Sequence, residues 1–275
     1  MQRRLLRLFG HFRLLRLFRH VNVTPPTAAS PDQSATTGPL RAFFDRHDGR
    51  LLHKWHHYFE IYERHFARFR GQPICLVEFG VSQGGSLEMW RDYFGPQAVI
   101  HGVDINPACR QFEQAGTVVH IGDQEDRAFL RRLAAALPPI DILIDDGGHT
   151  MRQQIHTFEE LFASVQPNGV YLVEDLHTSY WKRWGGGVHK RGTFIEYAKQ
   201  LVDRLHAWHS QQPGRLDVDA FTRSAHSLHF YDSVLVIEKR PMRAPTHERK
   251  GAALFPDYEH QARGGGGRRG LEGCT

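Results

Sequence analysis

Cysteine is scarce. Cys75, Cys109 and Cys274 are the three in 275 residues, and they form no C-x-x-C pair. Neither a disulfide framework nor a zinc site follows from that spacing, and a reducing, cytoplasmic compartment fits it best. Long apolar runs are missing as well, none approaching the roughly 20 residues that span a bilayer. The G-x-G-x-x-G of dinucleotide folds does not occur, no internal repeat is visible, and no N-P-P-Y motif of the kind that holds a nucleobase is present. Charge of one sign is modest. The formal net charge is +5, with much of the excess in the first twenty residues and the tail, so charge alone does not point to a nucleic-acid partner.

What is present is ordinary for a globular chain, 40% hydrophobic and 24% charged, with length enough for one substantial core. Residues 1–20 set Arg3, Arg4, Arg7, Arg13, Arg16 and Arg19 against Leu5, Leu8, Phe9, Phe12, Leu15 and Phe18. At helical spacing this gives one basic and one apolar face, suited to peripheral contact with an anionic membrane or to packing on the domain or a second copy of the chain. Arginine without acid also resembles a targeting presequence. Residues 21–39 are rich in Pro, Ser, Thr and Ala and read as a linker. A domain over 40–242 follows, and 243–275, polar and glycine-rich, is expected to be disordered.

Within the domain, Leu51, Leu52, Trp55, Tyr58, Phe59, Tyr62, Phe66 and Phe69 recur at three and four residues and predict an amphipathic helix from Leu51 to Phe69. Ile74–Phe79 is a strand, followed by a glycine-rich turn and a helix. Such a turn brings backbone N–H groups and a helix N-terminus to a ligand, which makes Glu78, Gly80, Gly84 and Ser86 candidate cofactor-binding residues. Val99–Asp104 is a second strand whose terminal Asp104 can accept hydrogen bonds from both ribose hydroxyls of a nucleoside cofactor, whether NAD or S-adenosylmethionine. A third strand, Val118–Ile121, leads to Asp123 and Gln124, placed for an adenine edge, although Gln124 could instead cap the next helix.

The chain is organised around two further strands. Asp141–His149 reads DILIDDGGH and Gly169–His177 reads GVYLVEDLH. Both are short apolar runs, as buried parallel strands should be, that stop at paired acids followed by a histidine. Ligands of open parallel sheets sit beyond the carboxyl ends of the strands, and there Asp145, Asp146, Glu174 and Asp175 would repel one another without a hard dication between them. Thr150 and Gln153 have the form of a capping box opening the next helix, and Pro167–Gly169 reads as a turn into the second of the two strands. The segment Leu176–Gly187, LHTSYWKRWGGG, reads as an aromatic, glycine-hinged flap. A helix over Thr193–His209 and a hairpin, Ser227–Tyr231 with Val234–Glu238, close the sheet.

Five strands alternating with helices and then a hairpin is the element order of the class I methyltransferase fold: α/β, Rossmann-like, a mostly parallel seven-stranded sheet with a C-terminal antiparallel hairpin. The motifs EFGVSQGGS, GVDINP, IDDGGH and VEDLHTSYW resemble those of magnesium-dependent O-methyltransferases acting on deoxysugars of macrolides and related natural products, and of their cephalosporin hydroxylase relatives. The resemblance covers roughly residues 74–239. It implies S-adenosylmethionine as methyl donor, Mg²⁺ held by Asp146, Glu174 and Asp175, His149 as general base with His177 as its competitor, Asp145 in the cofactor site, and a hydroxylated, sugar-bearing small molecule as acceptor. Three alternatives stand beside this one. A nicotinamide-dependent oxidoreductase would use Asp104 and the glycine turn. A non-catalytic cofactor-binding module could be recruited by residues 1–20. RNA methylation would need a basic groove, for which only Lys182, Arg183, Lys190 and Arg191 are near.

Overall fold

The computed structural model describes residues 38–252 and 254. The predicted N-terminal helix, almost all of the linker and most of the tail lie outside them. Seven strands, β1 (Cys75–Phe79), β2 (Val99–Asp104), β3 (Thr117–Ile121), β4 (Ile140–Asp145), β5 (Val165–Val173), β6 (Ala225–Tyr231) and β7 (Val234–Lys239), run in the order β3-β2-β1-β4-β5-β7-β6, with β1–β2, β2–β3 and β4–β5 parallel and β5–β7 and β6–β7 antiparallel. The five strands and terminal hairpin are as predicted; a helix over Pro39–Arg46 is additional, and a 3-10 segment, Pro107–Phe112, joins the second and third strands where a helix was expected. The chain divides into two compact units at residues 123 and 124, where the sequence suggested one domain.

The first unit begins with helices α1 (Pro39–Arg46) and α2 (Tyr58–Phe66) and continues through strand β1 (Cys75–Phe79), helix α3 (Gly85–Phe94) and strands β2 (Val99–Asp104) and β3 (Thr117–Ile121). Every residue of β1 is buried, as expected of a parallel strand covered on both faces. Tyr62, Phe66, Trp90 and Phe94 form the aromatic core between α2 and α3, with ring centroids 5.2–6.2 Å apart.

The predicted helix from Leu51 starts late, at Tyr58, and Leu51 is 73% exposed. Local bonding explains the delay. The Arg50 amide donates to Glu88 Oε2 at 3.1 Å, and the Arg50 carbonyl lies 2.6 Å from His47 Nε2, which holds this segment extended. The backbone carbonyls of Arg50 and Leu51 press so closely on Gly85 that a Cβ there would overlap them. Apolar periodicity alone could not register this crossing.

The second unit holds helix α4 (Arg127–Ala136), strand β4 (Ile140–Asp145), helix α5 (Met151–Leu161), strand β5 (Val165–Val173), helix α6 (Phe194–Leu205) and the hairpin strands β6 (Ala225–Tyr231) and β7 (Val234–Lys239). The cap of α4 is Asp126, whose side chain accepts from Ala128 N, and not Gln124. The capping box of α5 forms as predicted between Thr150 and Gln153. The turn expected at Pro167–Gly169 is absorbed into β5, where Asn168 takes φ +70° and pairing with β4 slips between Ile140 and Ile142. Phe158, Phe162, Tyr171 and Phe221 make this unit's aromatic core. The predicted flap is two short 3-10 turns, Leu176–Tyr180 and Lys182–Trp184. They are tied down by Gly187 N to Ser179 O at 2.8 Å and Gly186 N to Trp181 O at 2.9 Å.

Candidate active site

Strands β4 and β5 are parallel neighbours with Asp145 opposite Val173, so both acidic pairs emerge at the same end of the second unit. Asp145 itself is fully buried, and burial pushes its carboxyl up to about 6 against the opposing pull of a hydrogen bond from Gln124. Gln124 has its whole amide engaged. Nε2 donates to Asp145 Oδ1 at 2.6 Å and to Thr157 Oγ1 at 2.9 Å, while Oε1 accepts from Gly148 N at 3.1 Å. A side chain at Gly147 or Gly148 would overlap Gln124 or Gln153. The glycines of DDGGH thus let the loop lie against two glutamines, and the loop ends with His149 in the left-handed region, φ +56°.

The other loop is built to match. Glu174 N donates to Asp145 O at 2.9 Å, and Asp175 also adopts a left-handed backbone, φ +55°. Leu176 N then donates to Ser233 O in the hairpin turn. The hydroxyl of buried Thr178 lies 2.9 Å from the carbonyls of both His149 and Asp175 and staples the two loops together.

These constraints gather Asp146, His149 and Asp175, whose ligand atoms all lie within 4.8 Å of one another. His149 Nε2 stands 3.8 Å from Asp146 Oδ1 and 3.5 Å from Asp175 Oδ2; its Nδ1 is buried without a hydrogen-bond partner among the described residues. Glu174, the remaining expected ligand, is 1% exposed and outside that group of three. His177 lies alongside, with Nδ1 2.5 Å from Ser233 Oγ and 4.0 Å from Asp175 Oδ1. Its ring packs against Trp181 at 4.4 Å between centroids, and Trp181 in turn lies 5.4 Å from Trp184. Tyr180 and Trp181 are each about half exposed. Thr178 and Ser233 are the residues that sequence reasoning missed. A threonine in a loop and a serine in a hairpin turn carry no signal until the strands are paired.

The remaining candidates belong to the first unit. Glu78 is buried at the end of β1, accepting from Ser86 Oγ at 2.6 Å and Trp90 Nε1 at 2.9 Å. Gly80 and Gly84 take φ +91° and +80°, which the turn needs and only glycine adopts freely. Asp104 Oδ2 accepts from the amides of Val81 and Ser82 at 3.0 and 2.9 Å, and Oδ1 from Asn106 N at 2.8 Å. Its carboxylate is thereby a strut of the turn. Asp123 is exposed just past β3.

A profile of the family described as "Methyltransferase domain" matches residues 77–176. The chain is 41% identical over 199 residues to the 8-demethyl-8-alpha-L-rhamnosyl tetracenomycin-C 2'-O-methyltransferase of Streptomyces olivaceus, covering 68% of this chain and 52% of that one. It is 35% identical to the mycinamicin VI 2''-O-methyltransferase of Micromonospora griseorubida, covering 65% and 47%. Among solved structures, the MycE methyltransferase of the mycinamycin pathway in complex with Mg and SAH superposes with a TM-score of 0.67 at 32% identity, covering 75% of this chain and 56% of that one. The chain spans about half the length of the curated relatives it matches. Over the stretch they share, it belongs to the methyltransferase-domain family and has the Rossmann-like class I methyltransferase fold.

Proposed function

We propose that the chain is an S-adenosylmethionine- and Mg²⁺-dependent O-methyltransferase whose acceptor is a hydroxyl on the sugar of a glycosylated small molecule. The observation that carries this reading is the convergence of Asp146, Asp175 and His149 at adjacent strand ends, in a chain with 41% identity to a sugar O-methyltransferase. The donor set suits a divalent cation. The carboxylates of Asp146 and Asp175 offer the hard oxygen ligands that Mg²⁺ takes, buried Glu174 adjoins them in sequence as a further carboxylate, and His149 stands beside them as the base.

When bound, the cation would act as a Lewis acid that eases deprotonation of an acceptor hydroxyl, and S-adenosylmethionine would provide the methyl group. The remaining work falls to the chain. His149 takes the hydroxyl proton at Nε2, and Asp146 and Asp175 at 3.8 and 3.5 Å stabilise the imidazolium so formed. Thr178 fixes the backbone of both loops, so acid and base keep their spacing. Tyr180 and Trp181 present apolar ring faces to the acceptor. Glu78 and Asp104 shape the glycine turn that receives the cofactor.

A second assignment of the base rests on Ser233. Its contact with His177 Nδ1 orients that ring, the arrangement common to working histidines. Asp104, which three backbone amides already engage, favours neither nicotinamide nor S-adenosylmethionine.

The test is methyl transfer from labelled S-adenosylmethionine to deoxysugar-bearing polyketides. EDTA should abolish turnover and Mg²⁺ restore it. Full turnover in excess chelator would remove the cation from the reading, and calorimetry showing NAD but not S-adenosylmethionine binding would overturn it altogether.

A further inference from the structure

The second unit carries a cavity of about 560 Å³ far from the acidic loops. It is lined by the segment leading into β4, the start of β5 and the end of β7. Those are the ends of β4 and β5 opposite to Asp146 and Asp175. The volume lies within the roughly 300–1,000 Å³ typical of small-molecule sites. Pro138, Pro139, Pro167 and Pro241 contribute to the wall; each fixes its own φ, which gives the cavity a stiff rim, and none offers an N–H.

Its charge is one-sided. Arg223, Lys239 and Arg240 line it and no acidic residue does; the carboxylate tied to the lining is Asp141, which accepts from the side chain of Gln166. Lys239 is 6% exposed, yet its ammonium meets no carboxylate among the described residues. It donates to the carbonyls of Phe162, at 2.8 Å, and Val165, and lies 4.5 Å from the Phe162 ring centroid. Burial pushes this group down to about 8, which an anion alongside would offset. Arg223 lies with its guanidinium 5.1 Å from the Trp208 ring. Both arginines are exposed, and neither forms an ion pair among the described residues.

We propose that this cavity binds a small organic phosphate, with the phosphate held by Arg223 and Arg240 and the organic part resting on Leu137 and the prolines. Guanidinium forks match phosphate oxygens in pairs, and the apolar wall suits a ring more than a bare inorganic ion. The site is separate from the residues proposed for cation and base.

Calorimetry on the full chain tests it, with ADP as probe, EDTA present and S-adenosylhomocysteine saturating, so that an adenine or metal site elsewhere is closed to the probe. ADP and pyrophosphate should bind and adenosine should not, ADP more tightly than pyrophosphate. Arg240→Glu should weaken ADP by tenfold or more, and the Arg223→Glu/Arg240→Glu pair should abolish binding at an unchanged melting temperature. Binding that disappears under S-adenosylhomocysteine, that survives the double substitution, or that adenosine reproduces would overturn the proposal. None of these outcomes depends on whether the chain transfers methyl groups.

Discussion

At the residue scale, the two histidines can be told apart kinetically. If His149 is the base, His149→Ala should lower kcat by about 10²–10⁴-fold, the usual share of a positioned acid or base. His177→Ala and Ser233→Ala should then act mainly on KM through the Trp181 face that His177 supports. The opposite pattern, with Ser233→Ala shifting the pH–rate profile, would move the base to His177. Asp146→Asn or Asp175→Asn should weaken Mg²⁺ beyond the roughly 10–100-fold that losing an outer partner of a ligand costs. A different pair governs stability in acid. His101 Nδ1 lies 3.1 Å from His120 Nε2 on neighbouring strands. Burial, with the second imidazole adding to it, pushes His101 from its ordinary 6.5 down to about 4, and burial also lowers His120. The unfolded chain therefore binds more protons than the folded one between those values, so stability is lost as pH falls from 6.5 toward 4, by about 3 kcal/mol at most for His101. Denaturant titrations across that window should show the loss, and His101→Asn should flatten it; an unchanged slope would clear the pair of responsibility. The acid pairs and their histidines stood out in the sequence because such residues seldom follow apolar runs. The histidine pair did not, since nothing in one strand reveals its neighbour.

At the element scale, what could be read was what depends on a few adjacent residues. Thr150 and Gln153 announced the start of α5, and Thr150→Ala should cost about 1 kcal/mol in unfolding free energy; a change below a few tenths would mean the box is idle. Most strand limits and the hairpin followed from apolar runs, although β5 begins at Val165 and not Gly169, and β6 at Ala225 and not Ser227. The helix starting at Leu51 was illegible because its first turns are displaced by a crossing against Gly85, a contact between segments thirty-odd residues apart in the chain. Gly85→Ala should accordingly destabilise by about 1–3 kcal/mol, the range for an overpacked site, detectable as a lowered denaturation midpoint. Gln124 shows the same limit. Its position after β3 suggested a ligand's edge, whereas the loop it holds lies 24 residues on, at Gly148.

At the scale of the whole molecule, the site residues lie between Glu78 and Ser233, whereas the basic, apolar-faced stretch lies in residues 1–20. Removing residues 1–37 should thus leave methyl transfer intact and alter only attachment to anionic vesicles, if the stretch serves that purpose. Loss of turnover with retained folding would place part of the site in the arm. The division at residues 123 and 124 was not legible, because the polar run joining the units resembles any other strand-to-helix turn.

The left-handed backbones of His149 and Asp175 bear on how this protein could be engineered. Conformations of that kind disfavour side chains and favour glycine, so Asp175→Gly should raise the melting temperature while removing a carboxylate the chemistry needs. A library screened for heat resistance alone would drift toward sturdy, inert descendants, and the positions that drift first would mark where durability had been given up for catalysis.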